Sequence, residues 1–555
     1  MMFQKVINMK ILDLTLRNWL IIIAGIAVVS FLFTITFKSK NKKIKYILLL
    51  FLVGILTFGG FKLGNFIFIL LYLIIPSLII SGLIYLWTFE KKADPLWDIE
   101  FNTSQGKRII RGIQRGIAVF GAAGSGKTIS IIYNLMIHFG KADFAGIIYD
   151  FKNGELTELA KPIFKERLKV IALHNPNSSS RVNPISPDYI KGEKDVNQIV
   201  KVIIDNLIKN GVGKGDDFFK DSASSLLAGV ILKFTFDHKE LCTLPHVIAF
   251  ILGVDFSVQN PRTGLGDDAM DKFAKLKEFL TSNERVAIQG STFILGLASA
   301  KQTASVISTL ANALRKIAFP EAFWILSGSD FDLNINTVQN NFVVSVINEP
   351  RSAEFLSPIN ATIIHTISKQ MMVRDRKPSF ILLDEAPTIK LLNMAQIPAT
   401  MRSFGVVVVY CAQDFVQGVV QYGRDGFKEI VANLSTQFFG KSNDSETSKF
   451  YESYFEMVNI KTKSVSKKGG DGNLLAWGET STTTGEREVH KHRANEFNRL
   501  SVGEFAFLSD GKNEIVNIIH PQIVTEKFEN QKVITHKMLD AHFEKILREA
   551  RNILD

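Results

Sequence analysis

The chain has 555 residues, 46% of them hydrophobic, and a formal net charge of +11. That length exceeds one ordinary core and implies two or three domains. Nine basic residues and one acid fall within residues 1–88, which leaves only +3 for the rest, so net charge by itself does not argue for nucleic-acid binding. The two cysteines, Cys242 and Cys411, exclude a disulfide framework.

The basic excess flanks apolar runs. Trp19–Phe37 carries no charge and as a helix would span about 28 Å, close to the hydrocarbon thickness of a bilayer. Tyr46–Phe61 and Leu63–Thr88, with Pro76 inside it, are two more apolar runs, divided by Lys62. A lysine at mid-bilayer costs about 2.5–3.5 kcal/mol, so Lys62 marks an interface. Five lysines crowd residues 38–45 and point to the cytoplasm. Three spans then export the N-terminus and leave residue 89 onward inside. The basic tail (Lys5, Lys10, Arg17) pulls the other way. A two- or three-helix anchor over 1–90 is expected, with no cleaved signal peptide.

Gly116–Phe120 reads as a short apolar strand. It runs into Gly121, Ala122, Ala123, Gly124, Ser125, Gly126, Lys127 and Thr128, which fit G-x-x-x-x-G-K-[ST], and a helical stretch follows from Ile129. Strand, loop, helix is the context of a phosphate-binding P-loop. Glycines let backbone N–H groups turn inward, and the helix N-terminus adds its positive end. Lys127 is expected on the β- and γ-phosphates of ATP and Thr128 on Mg²⁺.

Ser379–Leu383 is a second apolar strand, ending in Asp384 and Glu385. Asp384 would hold Mg²⁺ through water, and Glu385 would polarise the attacking water. This strand is expected directly beside the P-loop strand. Val406–Val409 reads as a strand buried on both faces, and Gln413 at its end could sense the γ-phosphate or orient the water. Ala145–Asp150, Asn341–Ile347 and Thr436–Phe439 suit the same sheet. Strands alternating with helical stretches predict an α/β fold with a mainly parallel sheet.

Lys127 and Asp384 lie far apart in sequence. Between them, Val196, Ile199, Val200, Ile203 and Leu207 recur at helical spacing, as does Ser305–Ile317. The expected division is nucleotide domain 91–189, inserted all-α domain 190–335, nucleotide domain 336–525 and helical tail 526–555. Residues 461–486, rich in Gly, Ser, Thr and Lys, read as a mobile loop.

Several longer pieces are distinctive: GAAGSGKT (121–128), IIYDFKNGEL (147–156), SRVNPIS (180–186), DDFFKDSASSLLAGVIL (216–232), ILLDEAPTI (381–389), RSFGVVVVYCAQD (402–414) and HRANEFNRLSVGEFAFLSDGKNEI (492–515). With them the chain resembles the type IV coupling proteins of conjugation and type IV secretion, over roughly residues 105–520. The resemblance implies N-terminal membrane helices, a RecA-like P-loop ATPase domain with an all-α insertion, and a ring hexamer in the bacterial inner membrane with its ATPase in the cytoplasm. The implied cargo is relaxase-bound single-stranded DNA or protein effectors, passed to a type IV secretion channel. Arg402 aligns with an arginine thought to act on a neighbour's nucleotide. Ala123 departs from the family's usual Thr, and the tail beyond 520 is short for a cargo adaptor.

Other motifs carry less. Leu326–Asp330 superficially resembles an ABC-transporter signature but lies too far before Asp384. His490 and His492 have no acid or cysteine cluster beside them for a metal site. Lys461, Lys463, Lys467 and Lys468, like Lys107, Arg108, Arg111 and Arg115, could touch phosphates, but charge runs are usually solvated faces. Two rival readings are a DNA translocase of the wider FtsK/HerA group and a non-motor scaffold that binds nucleotide as a structural ligand.

Overall fold

The structure is a computed structural model that describes residues 16–38, 73–87, 93–208, 214–259, 267–467, 480–528 and 532–553. The chain divides into two compact units, 1–93 and 94–555.

In the first unit the helices Leu16–Lys38 and Ile75–Trp87 pack on each other. Small residues make the contact. Ser81 Oγ donates to the Ser30 carbonyl at 2.9 Å, Ser77 Oγ donates to the Ile26 carbonyl at 3.4 Å, and Ser30, Ser77 and Ser81 are buried. Leu20, Ile23, Phe31, Ile79 and Leu83 are exposed. Over the described residues, no helix is long and apolar enough to cross a membrane. The expected run Trp19–Phe37 falls in the first helix, Tyr46–Phe61 lies outside the described residues, and Leu63–Thr88 is described only in part. The three spans expected from the sequence are therefore not established.

The second unit is built on strands β1 (Ile99–Thr103), β2 (Gly106–Ile110), β3 (Ile117–Phe120), β4 (Ala145–Asp150), β5 (Leu168–Ala172), β6 (Val343–Ile347), β7 (Ser379–Leu383), β8 (Val406–Ala412), β9 (Thr436–Phe439), β10 (Met457–Lys467), β11 (Thr480–His490), β12 (Glu504–Ser509) and β13 (Lys512–Asn517). Nine form one sheet in the order β13-β12-β9-β3-β8-β7-β4-β6-β5. The pairs from β9 to β5 are parallel, and β12 and β13 extend the sheet antiparallel. Every residue of β3, β4, β6, β7 and β8 is buried, as a sheet covered on both faces requires. Alternation sends Ala118 and Phe120 into one core and Ile117 and Val119 into the other. Phe120 sits among Phe427, Phe439, Phe450 and Tyr451, which anchors the strand that leads into the P-loop. Cys242 and Cys411 are buried free thiols.

From β5 to β6 the described chain makes helices and no named strand, from Glu193–Leu207 to Pro320–Leu326. Helix Ala353–Met371, after β6, joins this helical layer to the sheet. Lys369 on it pairs with Asp195 at 2.5 Å and donates to Gln198 at 2.7 Å. His365 on the same helix has a buried Nε2 without a hydrogen-bond partner, and burial, with Lys369 nearby and Asp195 opposing, pushes its pKa down to about 4. The unfolded chain therefore binds more protons between about pH 6.5 and 4, so this contribution is complete above 6.5 and is lost on acidification. The urea midpoint is expected to fall between pH 7.5 and 5 by the equivalent of roughly 1–2 kcal/mol more in the wild type than in His365→Leu. Equal falls would contradict it.

Two expectations are corrected. The P-loop strand and the acid strand are not neighbours, because β8 hydrogen-bonds to both β3 and β7. Its all-buried valine run suits the central position, and sequence distance hides the pairing. Residues 461–467 and 480–486 are not a loop but the arms of an antiparallel ribbon. Val458, Ile460, Val465, Thr480 and Thr482–Thr484 are β-branched, and that preference outweighs the loop-like composition.

Candidate nucleotide site

β3 ends at Phe120, and residues 121–126 loop over into Lys127–Ile132 and the helix Tyr133–Lys141. Gly124 (φ 76°) and Gly126 (φ 91°) hold left-handed conformations that side-chain-bearing residues adopt only under strain. Three hydrogen bonds pin the loop to its surroundings. Gly121 N–H donates to Ala412 O at 3.3 Å, Ala122 N–H to Lys441 O at 2.7 Å, and Gly503 N–H to Ser125 O at 3.0 Å. A Cβ on Gly126 would lie 2.9 Å from Gly503 N. Gly126→Ala therefore combines backbone strain with a clash and is expected to weaken binding of a fluorescent nucleotide at least tenfold. An unchanged Kd would show that the loop is not the binding element.

Lys127 is 6% exposed, and its Nζ donates to the Gly121 carbonyl. Burial lowers its pKa, against the pull of Glu385, Cys411 and Asp384. The acids thus act on Lys127 across β8. Two interstrand spacings separate β3 from β7, about 10 Å, a width that phosphate oxygens and a hydrated cation would fill.

Asp384 is 1% exposed, and its Oδ1 has no hydrogen-bond partner among the described residues. Burial pushes its carboxyl up to about 7, with Lys152 opposing the shift and Glu385 adding to it. Ser125 Oγ, in the P-loop, is also buried and unpartnered. An unpaired buried carboxylate oxygen costs several kcal/mol unless a cation or donor joins it. These orphaned groups, the loop glycines and the half-buried Thr128 fit a magnesium-bound nucleotide.

Glu385 is 2% exposed and left-handed at φ 48°. Gln413, just past β8, donates from Nε2 to Glu385 Oε1 at 2.9 Å. Thr388 Oγ1 donates to the Glu385 carbonyl at 2.7 Å and meets Tyr149 Oη at 2.9 Å, which accepts from Asn348 at 2.8 Å. The carboxyl ends of β4, β6, β7 and β8 thus hold one strained glutamate. Ligands of open α/β sheets bind at that edge.

Of the residues expected from the sequence, 121–128, Asp384, Glu385 and Gln413 converge. Arg402 does not. It ends the helix Ile397–Arg402, is exposed, and precedes β8, so roughly 23 Å of strand separates it from Gln413. Lys152 was not singled out. Burial works against its charge, but Asp384, Glu155 and Glu385 outweigh it and raise its pKa. Asp150, 0% exposed, fixes its turn by accepting from Lys152 N–H at 3.1 Å and Thr157 N–H at 2.8 Å. Its only sequence signal was the IIYDFKNGEL piece.

The profile of the family described as Type IV secretory system Conjugative DNA transfer matches residues 88–487. The chain belongs to this family. No curated protein matches it. Solved structures share its fold. The bacterial conjugative coupling protein TrwBΔN70, in its unbound monoclinic form, is 14% identical, covers 81% of this chain and 94% of its own, and has a TM-score of 0.59. Plasmid coupling protein TrwB with the GTP analogue GDPNP is 12% identical, with coverage of 80% and 94% and a TM-score of 0.58. TrwB with ADP and Mg²⁺ is 14% identical, with coverage of 76% and 88% and a TM-score of 0.53.

Proposed function

We propose that the chain is the membrane-anchored coupling ATPase of a conjugative DNA-transfer apparatus, which recruits relaxase-bound single-stranded DNA or protein cargo and drives it into a type IV secretion channel. The observation that carries this is the pair of buried, unpartnered groups, Asp384 Oδ1 and Ser125 Oγ, set beside the Glu385–Gln413 contact.

ATP is the substrate. Residues 121–128 cradle its phosphates, and Lys127 turns from the Gly121 carbonyl to the β- and γ-phosphates. Thr128 and Asp384 would hold Mg²⁺, which when bound would neutralise charge on the phosphate oxygens. Glu385 accepts a proton from the attacking water, and Gln413 keeps its carboxylate oriented. Arg402, exposed at the far edge of the sheet, serves a neighbour's nucleotide in a ring hexamer. Residues 190–335 form the inserted all-α domain, and residues 526–555 form a C-terminal helical tail.

The first unit supports membrane anchoring. Its helix pair buries Ser30, Ser77 and Ser81 and exposes Leu20, Phe31 and Leu83, the pattern of helices packed in lipid. The expected setting is the bacterial inner membrane with the ATPase on the cytoplasmic side.

The test is ATP turnover by the purified chain with and without single-stranded DNA. Magnesium-dependent turnover that DNA stimulates supports a DNA-transfer motor. Nucleotide binding without turnover would overturn the motor reading in favour of a scaffold.

A further inference from the structure

Between the helices Ser445–Glu452 and Ala494–Phe497 the chain leaves the main sheet. β10 and β11 pair antiparallel without a break from Met457↔His490 to Lys467↔Thr480. Eleven residues per strand make an arm about 35 Å long. Among its described side chains, only those at the base are packed. Val458, Ile460, Val489 and His490 are half-buried, and His490 Nδ1 meets the Phe455 carbonyl at 2.9 Å. The described side chains at 461–465 and 482–488 are all exposed. A two-stranded ribbon is marginal in water by itself, so an arm of this length with nothing beneath it among the described residues is built to meet something.

Its chemistry is sorted along its length. Residues 462–467 and 480–485, which face each other, hold two lysines (Lys463, Lys467), eight serines and threonines, and no acid, and Lys461 follows toward the base. The acids Glu486 and Glu488 begin nearer the base, where Glu486 lies across from Lys461. Residues 468–479, between the strands, lie outside the described residues. General basicity does not explain this, because the chain beyond residue 88 carries only +3. Ammonium groups interleaved with hydroxyls are the donors that contact nucleic-acid phosphates, and a two-stranded ribbon fits a duplex groove.

We propose that the distal half of this ribbon contacts the phosphate backbone of the transferred DNA, without reading its sequence. The inference rests on the DNA-transfer function proposed above and adds the surface that grips the cargo.

The test is binding of the full-length detergent-solubilised chain to a labelled oligo-dT and to a duplex of equal length, across a salt series. The variant is Lys461→Ser/Lys463→Ser/Lys467→Ser. Affinity for the single strand is expected to fall at least tenfold at 0.1 M salt, and the slope of log K against log salt to shrink by about 2. ATP turnover without DNA should stay at the wild-type rate. Loss confined to the duplex would move the contact to the double-stranded flank of the cargo and still support the ribbon. Unchanged affinity and slope, with DNA bound by the wild type, would overturn the proposal alone. Loss of basal turnover together with a smaller assembly would overturn it in favour of docking between subunits. A wild type that binds neither DNA would take down the DNA-transfer reading itself.

Discussion

Glu385→Gln is expected to lower ATP turnover by roughly 10²–10⁴-fold while leaving nucleotide affinity within a few-fold of wild type. The substitution keeps the volume of a side chain that is 2% exposed. It also keeps hydrogen-bonding capacity toward Gln413, which lies 2.9 Å away. What it removes is the basic oxygen. The surrounding turn does not depend on that charge, because Thr388 holds the Glu385 carbonyl and Tyr149 and Asn348 hold Thr388. Single-turnover kinetics with a labelled γ-phosphate separates the two effects. Turnover within threefold of wild type would remove Glu385 from the chemistry.

Lys127→Ala should act on binding instead. The lysine sits buried on its own loop, its ammonium donating to the Gly121 carbonyl, and burial already lowers its pKa. A triphosphate relieves that cost by bringing two acceptors. Charge-assisted hydrogen bonds contribute about 1.5–3 kcal/mol each, so losing two implies roughly a 100-fold or larger loss of triphosphate affinity. A nucleoside monophosphate should be affected far less. Competition against a fluorescent nucleotide reads both. Equal losses for monophosphate and triphosphate would point to damage to the loop rather than to a missing ammonium.

How much of this was legible in the sequence depended on how local the cause was. The P-loop could be read because its eight residues carry their own chemistry and sit between a strand and a helix. Asp384 and Glu385 could be read because an apolar strand delivers them. The order of the strands could not, since β8 enters between β3 and β7 from a distant part of the chain. Lys152 escaped notice because its importance lies in facing Asp384 across two strands' ends, which no local pattern reports. The ribbon was misread because its Thr, Ser and Gly content looks like a loop, while its pairing comes from β-branched alternation on two strands. Arg402 stands out only as an exposed arginine, and the role proposed for it needs a second copy of the chain.

The account rests on a nucleotide and a magnesium ion meeting at Asp384 and residues 121–128. Isothermal titration of the full chain with a non-hydrolysable ATP analogue, with and without Mg²⁺, tests this most directly when repeated on Asp384→Asn. The predicted result is binding that magnesium strengthens in the wild type and a 10–100-fold loss of that magnesium effect in the variant. Equal magnesium dependence in both proteins, or no binding to the wild type, would contradict it.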